Sequence, residues 1–259
     1  MRTRGCVLCA VLVATWASGS GAQTVELEGR YWPATLTARV RVLDGQTDVP
    51  PDLSTIDLKD DLGLSNKSLA DGRLSLTTGP HSRLRVGFVR MDYSADHIVE
   101  RTIVFNGTPY TVGTEVVTKL KLDYWRYGWI WEFVGTPSSP VRFGTLLEAK
   151  TFSIDASLAA PRLTPPVAEA KKLTATLPSA GLVLELNPVP MVNVFAEASG
   201  ISAGSRGHAL DAEVGVKIKP APVVAVVGGY RYFDLEARDD PDFATIKNSG
   251  PYVGVALRF

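Results

Sequence analysis

Three histidines are all that this 259-residue chain offers for acid–base work near neutral pH. His97 follows Asp96, His81 precedes Ser82, and His208 stands three residues before Asp211. The densest run of carboxylates holds Asp52, Asp57, Asp60 and Asp61. An acid–base site that activates water would need Asp60, Asp61, Asp96 and His97 within hydrogen-bond reach of one another. The same aspartates could offer oxygen ligands to a hard cation such as Ca²⁺, although their spacing is not that of an EF-hand loop. No zinc spacing is present, and no helical pattern follows Gly228-Gly229 to make a phosphate cradle. Turn and loop polarity accounts for the histidines, and solvation for the aspartates. We therefore expect no catalytic residue, no metal and no cofactor. Gly63 and Gly72 read as turn residues, and Gly228-Gly229 as a bulge or a close approach inside a strand.

The elements that would position these residues are strands. Lys and Arg number 27, Asp and Glu number 27, and no basic run occurs, which excludes nucleic acid as the main partner. Arg2 and Arg4, the apolar stretch Gly5 to Ala17 and the small residues 18–22 have the layout of a cleaved secretory signal. Its removal would take away both cysteines, Cys6 and Cys9, so no disulfide framework is expected in the exported chain, residues 23–259. No later segment has the ~20 unbroken apolar residues of a spanning helix. Period-two alternation recurs instead, in runs of about ten residues. It is clearest around Leu84-Val86-Phe88, Leu182-Leu184-Leu186, Val192-Val194-Ala196, Val214-Val216-Ile218 and Val253-Val255-Leu257-Phe259.

Short turns containing proline (79–82, 135–140, 187–190, 219–222) alternate with longer polar segments (44–72, 96–117, 159–172, 200–207, 238–249). The count is about ten strands, with both termini on the short-turn side. Eight or twelve would follow from merging or adding a hairpin around Thr102–Val116, where Asn106-Gly107 is a two-residue turn signal. The apolar phase shifts within Leu120–Phe133 and again near Tyr232-Phe233, as a β-bulge would shift it. Aromatic residues at Tyr31-Trp32, Trp125–Phe133, Tyr230, Tyr232, Tyr252 and Phe259 suit interfacial girdles. The opposite faces carry Glu26, Glu28, Arg30, Arg83, Arg85, Arg142, Glu148, Glu185, Glu197, Asp211, Glu213 and Lys217. Buried charges must be paired or wet, and a narrow lumen provides both. This predicts an all-β, up-and-down antiparallel transmembrane β-barrel. Its principal lumen-lining residues would be Arg83, Arg85, Arg142, Glu148, Glu185, Glu213 and Lys217.

The chain stops at Tyr252-Val253-Gly254-Val255-Ala256-Leu257-Arg258-Phe259. This end resembles the C-terminal β-signal of bacterial outer-membrane proteins, with Tyr252, Gly254, Leu257 and Phe259 in its four positions. The rest of the chain resembles small bacterial outer-membrane β-barrels in layout. The resemblance implies outer-membrane localisation, with the barrel-assembly machinery, outer-membrane lipid and lipopolysaccharide as partners. It also implies a non-enzymatic barrel, either structural or a narrow pore for small solutes, its lumen largely filled by paired charges. Omptin proteases and lipid A-modifying barrels resemble the chain in size and supply an enzymatic alternative. A soluble periplasmic β-barrel binding protein, with the charged faces solvated, is the other alternative.

Overall fold

The structure, a computed structural model, describes residues 23–43, 49–163 and 165–259. The expected signal segment, residues 1–22, lies outside the described residues.

Ten strands make the wall: β1 (Thr24–Arg41), β2 (Lys67–Gly79), β3 (Ser82–Ile98), β4 (Glu115–Val134), β5 (Val141–Ala160), β6 (Val167–Val189), β7 (Val192–Ser202), β8 (Gly207–Ala221), β9 (Val224–Asp239) and β10 (Asp242–Arg258). Each is antiparallel to its predecessor, and β1 pairs with β10 to close the barrel. Val25 and Phe259 exchange backbone hydrogen bonds of 3.0 and 2.8 Å at the seam. Ten is the count that the alternation predicts. The Asn106-Gly107 hairpin also forms, both residues at positive φ. It pairs Ile103–Phe105 with Thr108–Tyr110 as a separate two-stranded sheet and adds nothing to the wall.

Neither phase shift is a bulge. β4 pairs without interruption with β3 from Glu115 to Trp131, and with β5 from Val117 to Glu132. Along this single register Leu120, Leu122 and Tyr124 point inward and are buried, whereas Trp125, Tyr127, Trp129, Trp131 and Phe133 point outward and are exposed. What changes at 124/125 is which face is apolar. The same exchange occurs between Phe88 and Val89 on β3, and between Tyr31 and Trp32 on β1. It recurs between Tyr232 and Phe233 on β9, where pairing is again continuous. Cross-strand pairing carries the boundary along the wall, Val89 facing Tyr124 and Tyr124 facing Phe152.

The barrel therefore has two halves. Towards the short turns the outside is an apolar belt, as hydrocarbon demands, and the interior is charged. Towards the long loops the outside is polar, with Arg90–Asp123 at 2.6 Å and Lys172–Asp155 at 3.0 Å. There the interior is an apolar core of Leu36, Met91, Tyr93, Leu122, Tyr124, Phe152 and Phe233. Ile103, Phe105 and Tyr110 of the hairpin, with Ile56, Leu62 and Leu64 of the first long loop, pack into that core.

Several expectations are corrected. Trp32 and Tyr252 belong to no girdle: they face inward and are 1% and 4% exposed. Much of the later polar segments is strand, most of all 238–249, because on the long-loop half polar side chains face water while alternate positions still pack. The segment 238–249 reduces to the tight turn at Asp240-Pro241, and Gly72 lies inside β2. The glycine pair 228–229 is a close approach: a Cβ on Gly229 would lie 2.2 Å from the Val214 carbonyl oxygen and 2.8 Å from the Tyr252 hydroxyl.

A test follows on β6, where Leu182 and Thr174 face outward on either side of the boundary. Leu182→Arg should destabilise the refolded barrel by about 2–4 kcal/mol. Thr174→Arg should leave the urea midpoint in lipid vesicles unchanged. Equal costs at both positions would contradict the exchange of faces.

Candidate functional site

The lumen of the belt half is the densest concentration of ionisable groups in the molecule. Alternation along each strand places every second side chain inside, and the small bore brings opposite walls within contact. Charges from distant parts of the chain therefore meet as ion pairs.

Glu213 on β8 accepts two hydrogen bonds from Arg73 of β2, at 2.9 and 3.0 Å, and two from Arg30 of β1, at 2.8 and 3.3 Å. Arg30 also lies over the Tyr252 ring, 4.5 Å from its centre, and pairs with Glu28. Nearer the apolar core, Asp211 accepts from Arg231 at 3.0 and 2.8 Å and from Arg126 at 2.6 Å. The Tyr124 hydroxyl donates to it at 3.1 Å. Arg231 reaches on to Asp71 at 2.7 Å and covers the Trp32 ring. On the other side of the bore, Arg85 donates to Glu197 at 2.6 Å and to Glu148 at 3.2 Å. Lys150, fully buried, donates to the Ser199 carbonyl at 2.8 Å.

Closer to the short turns, Glu185 joins Arg83 at 2.5 Å and Arg142 at 2.9 Å, and Arg142 also pairs with Glu132. Lys217 bridges Glu26 at 2.5 Å and Glu28 at 2.9 Å. A polar vestibule of about 90 Å³ opens at this end, lined by Glu26, Arg83, Arg142, Glu185, Lys217 and Arg258 among others. Ile130, Leu146 and Val183 make a small apolar patch in the same wall.

Arg83, Arg85, Arg142, Glu148, Glu185, Glu213 and Lys217 all project into this network. Asp71, Arg73, Arg126, Glu132, Lys150 and Arg231 share it and went unnoticed in the sequence. Asp71 falls within 44–72, a segment whose polarity predicts a loop. Arg126 alternates with the aromatic run Trp125–Trp131, and that alternation was the signal that could have found it.

The rim residues do not converge. Asp96 points outward, while His97 points inward and packs against Gly63 at φ +70°. Asp61 is held by Arg101, which donates to it at 2.6 and 2.5 Å and also reaches the carbonyls of Asp52 and Thr55. Asp57 accepts from the backbone N–H groups of Lys59 and Asp60. These contacts clamp the first long loop to the segment after β3. Among the described residues no three carboxylates or histidines gather as a metal site. His208 stands outside the wall, 3.5 Å from Asp234. The terminal residues divide by face: Tyr252 and Gly254 turn to the lumen, Leu257 and Phe259 outward.

Architecture and lumen together define an antiparallel β-barrel of the bacterial outer-membrane type. No protein-family model and no curated protein matches the sequence. Among solved structures the chain is similar to the outer membrane protease OmpT from Escherichia coli. The TM-score is 0.53 at 10% identity, covering 91% of this chain and 97% of that one. Ail, the attachment invasion locus protein of Yersinia pestis, aligns with a TM-score of 0.41 at 11% identity, over 92% of this chain and 99% of Ail. The likeness to OmpT is one of fold.

Removing one acid from the network leaves buried guanidinium groups uncompensated. Glu213→Ala should cost about 3–5 kcal/mol in unfolding from vesicles. Asp123→Ala, which breaks only an exposed pair, should leave the midpoint where it is. A neutral Glu213→Ala would mean that water, not Glu213, solvates Arg30 and Arg73.

Proposed function

We propose that the chain is an integral protein of the bacterial outer membrane, closed to solute flow, whose role lies in the half-barrel it projects beyond the leaflet. The observation that carries this reading is the filled interior. Cross-lumen ion pairs occupy the belt half, and an apolar core sealed by the hairpin and the first long loop occupies the other. Eight-stranded barrels have interiors that side chains just fill, and open channels belong to much wider ones. With ten strands and long charged side chains, this lumen is structural, and Arg83, Arg85, Arg142 and Glu148 neutralise charge in place of selecting a solute.

The reading is non-enzymatic, supported by the separation of Asp96 from His97 and by the engagement of Asp61 with Arg101. Leu257 and Phe259, outward on the closing strand, are the side chains that the assembly machinery would meet. The projecting half would stand among the head groups of lipopolysaccharide.

Membrane fractionation with unheated and boiled gel samples tests the placement. A heat-modifiable band in the outer-membrane fraction is expected, and a soluble band without a heat shift would overturn it. In planar bilayers the folded protein should give no conductance steps. Discrete steps would overturn the closed interior and restore the narrow pore.

A further inference from the structure

The charges of the belt half do not balance at its short-turn end. Eight of the side chains lining the polar vestibule are basic and four are acidic. Six of the basic ones are engaged: Arg30 and Arg73 by Glu213, Arg83 and Arg142 by Glu185, Arg85 by Glu197, and Lys217 by Glu26. The other two, Lys219 of β8 and Arg258 of β10, have no carboxylate partner among the described residues.

The surrounding wall cannot supply one. Between these two strands β9 turns only Ala225 and Val227 inward at this level, both buried. The acid facing Arg258 in the β1–β10 register is Glu26, and Lys217 holds it. Unused donors add to the excess of charge. The Nε–H groups of Arg83 and Arg85, whose side chains line the same space, are buried without an acceptor. Ser75, which stands between Glu26 and Arg85 in the register, lines it too.

We propose that the vestibule binds a phosphate group presented from the periplasmic side, with Lys219 and Arg258 as its principal donors. Two uncompensated positive charges on separate strands match a dianion, and a tetrahedral group spreads its oxygens towards donors on more than one wall. A guanidinium offers parallel N–H groups to two of those oxygens, and the ammonium adds a point charge. Chloride would neutralise one charge and present a single acceptor. The vestibule ends on the ion pairs of Arg30, Arg73 and Glu213, so the ligand is held and not passed on. The site is therefore compatible with a barrel closed to flow, and goes beyond that reading. Pairing of β1 with β10 seals the wall beside it, so a phosphate reaches it from the water at the short-turn mouth or as a head group brought round the rim.

The test uses the full chain in nanodiscs of zwitterionic lipid, its fold verified by heat-modifiability, titrated calorimetrically with inorganic phosphate at mildly alkaline pH. Wild-type protein should show one saturable site. Lys219→Gln and Arg258→Gln, each removing one charge-assisted hydrogen bond, should each weaken binding by about tenfold, and the double variant should show none. Lys119→Gln, exposed on the outer face of the projecting half, should change nothing. The double variant should keep its heat shift, since it removes two uncompensated like charges. Should it fail to fold, wild-type affinity in both single variants would overturn the site. So would the absence of saturable binding by the wild type, or equal competition by chloride at matched ionic strength, which marks screening alone. An unchanged titration in discs containing phosphatidic acid assigns the occupant to dissolved phosphate, and loss of the signal there assigns it to a lipid head group. Loss of the heat shift in the wild type would instead count against the membrane placement.

Discussion

An unbroken β-ladder that must pass from hydrocarbon into water is the constraint from which the rest of this structure follows. Backbone hydrogen bonding demands continuity, since no strand edge can stand open to lipid. The side chains cannot be continuous, because the medium outside the wall changes. The solution is an exchange of faces at one level, 124/125 on β4 and its counterparts on the neighbouring strands, with no slip of register. Below that level the barrel is apolar outside and charged within. Above it, the same strands obey the ordinary rule for a protein in water, with Leu122, Tyr124 and Phe152 inside and Arg90 and Asp123 outside.

The charged lumen then acquires a second purpose besides filling space. With apolar side chains on both faces, nothing would distinguish inside from outside, and a one-residue slip would go unpunished. A strand carrying Arg83 and Arg85 between Leu84 and Val86 has no such freedom. A slip by one position would turn both guanidinium groups into lipid and the leucine inward. The acids that receive these arginines come from strands across the bore, Glu185 of β6 and Glu197 of β7. Registers on opposite walls are thereby locked to one another, which local hairpins alone could not achieve.

How much of this could be read in the sequence depends on which signal each feature leaves. The strand count and the side on which the termini lie were legible because turn chemistry punctuates the chain at every hairpin. The faces in the belt half were legible because lipid makes alternation strict. The two phase shifts were visible but pointed to bulges, since a period-two pattern records only a change of phase. A bulge and a change of solvent leave the same trace. The same ambiguity turned the polar outer thirds of β2, β6 and β10 into loops, and made girdle residues of Trp32 and Tyr252. Cross-lumen partners left no trace at all: Arg73 and Glu213 are separated by the length of several strands, and only closure of the barrel brings them to 2.9 Å. For the rim, chain adjacency misled. Asp96 and His97 are neighbours in sequence, and for that reason alternation sends them to opposite faces of β3.

Pairing of β6 with β7 ends at Ala180–Gly200, so Val167–Ser179 pair with β5 alone, which raises the question of how a molecule otherwise free of edges tolerates one. The exposed stretch of β6 answers in its own composition. Lys171 and Lys172 lie near its middle and Pro178 at its base, and charged residues and proline are the devices by which natural edge strands resist pairing with other chains. Pro178 lacks the N–H that a continuous ladder would use, and it stands just beyond the last residue paired to β7, Ala180. The corresponding stretch of β3 above β2 has no proline, and there residues 49–66 of the first long loop cover the strand instead. One interruption is thus closed by chain and the other is guarded and left open.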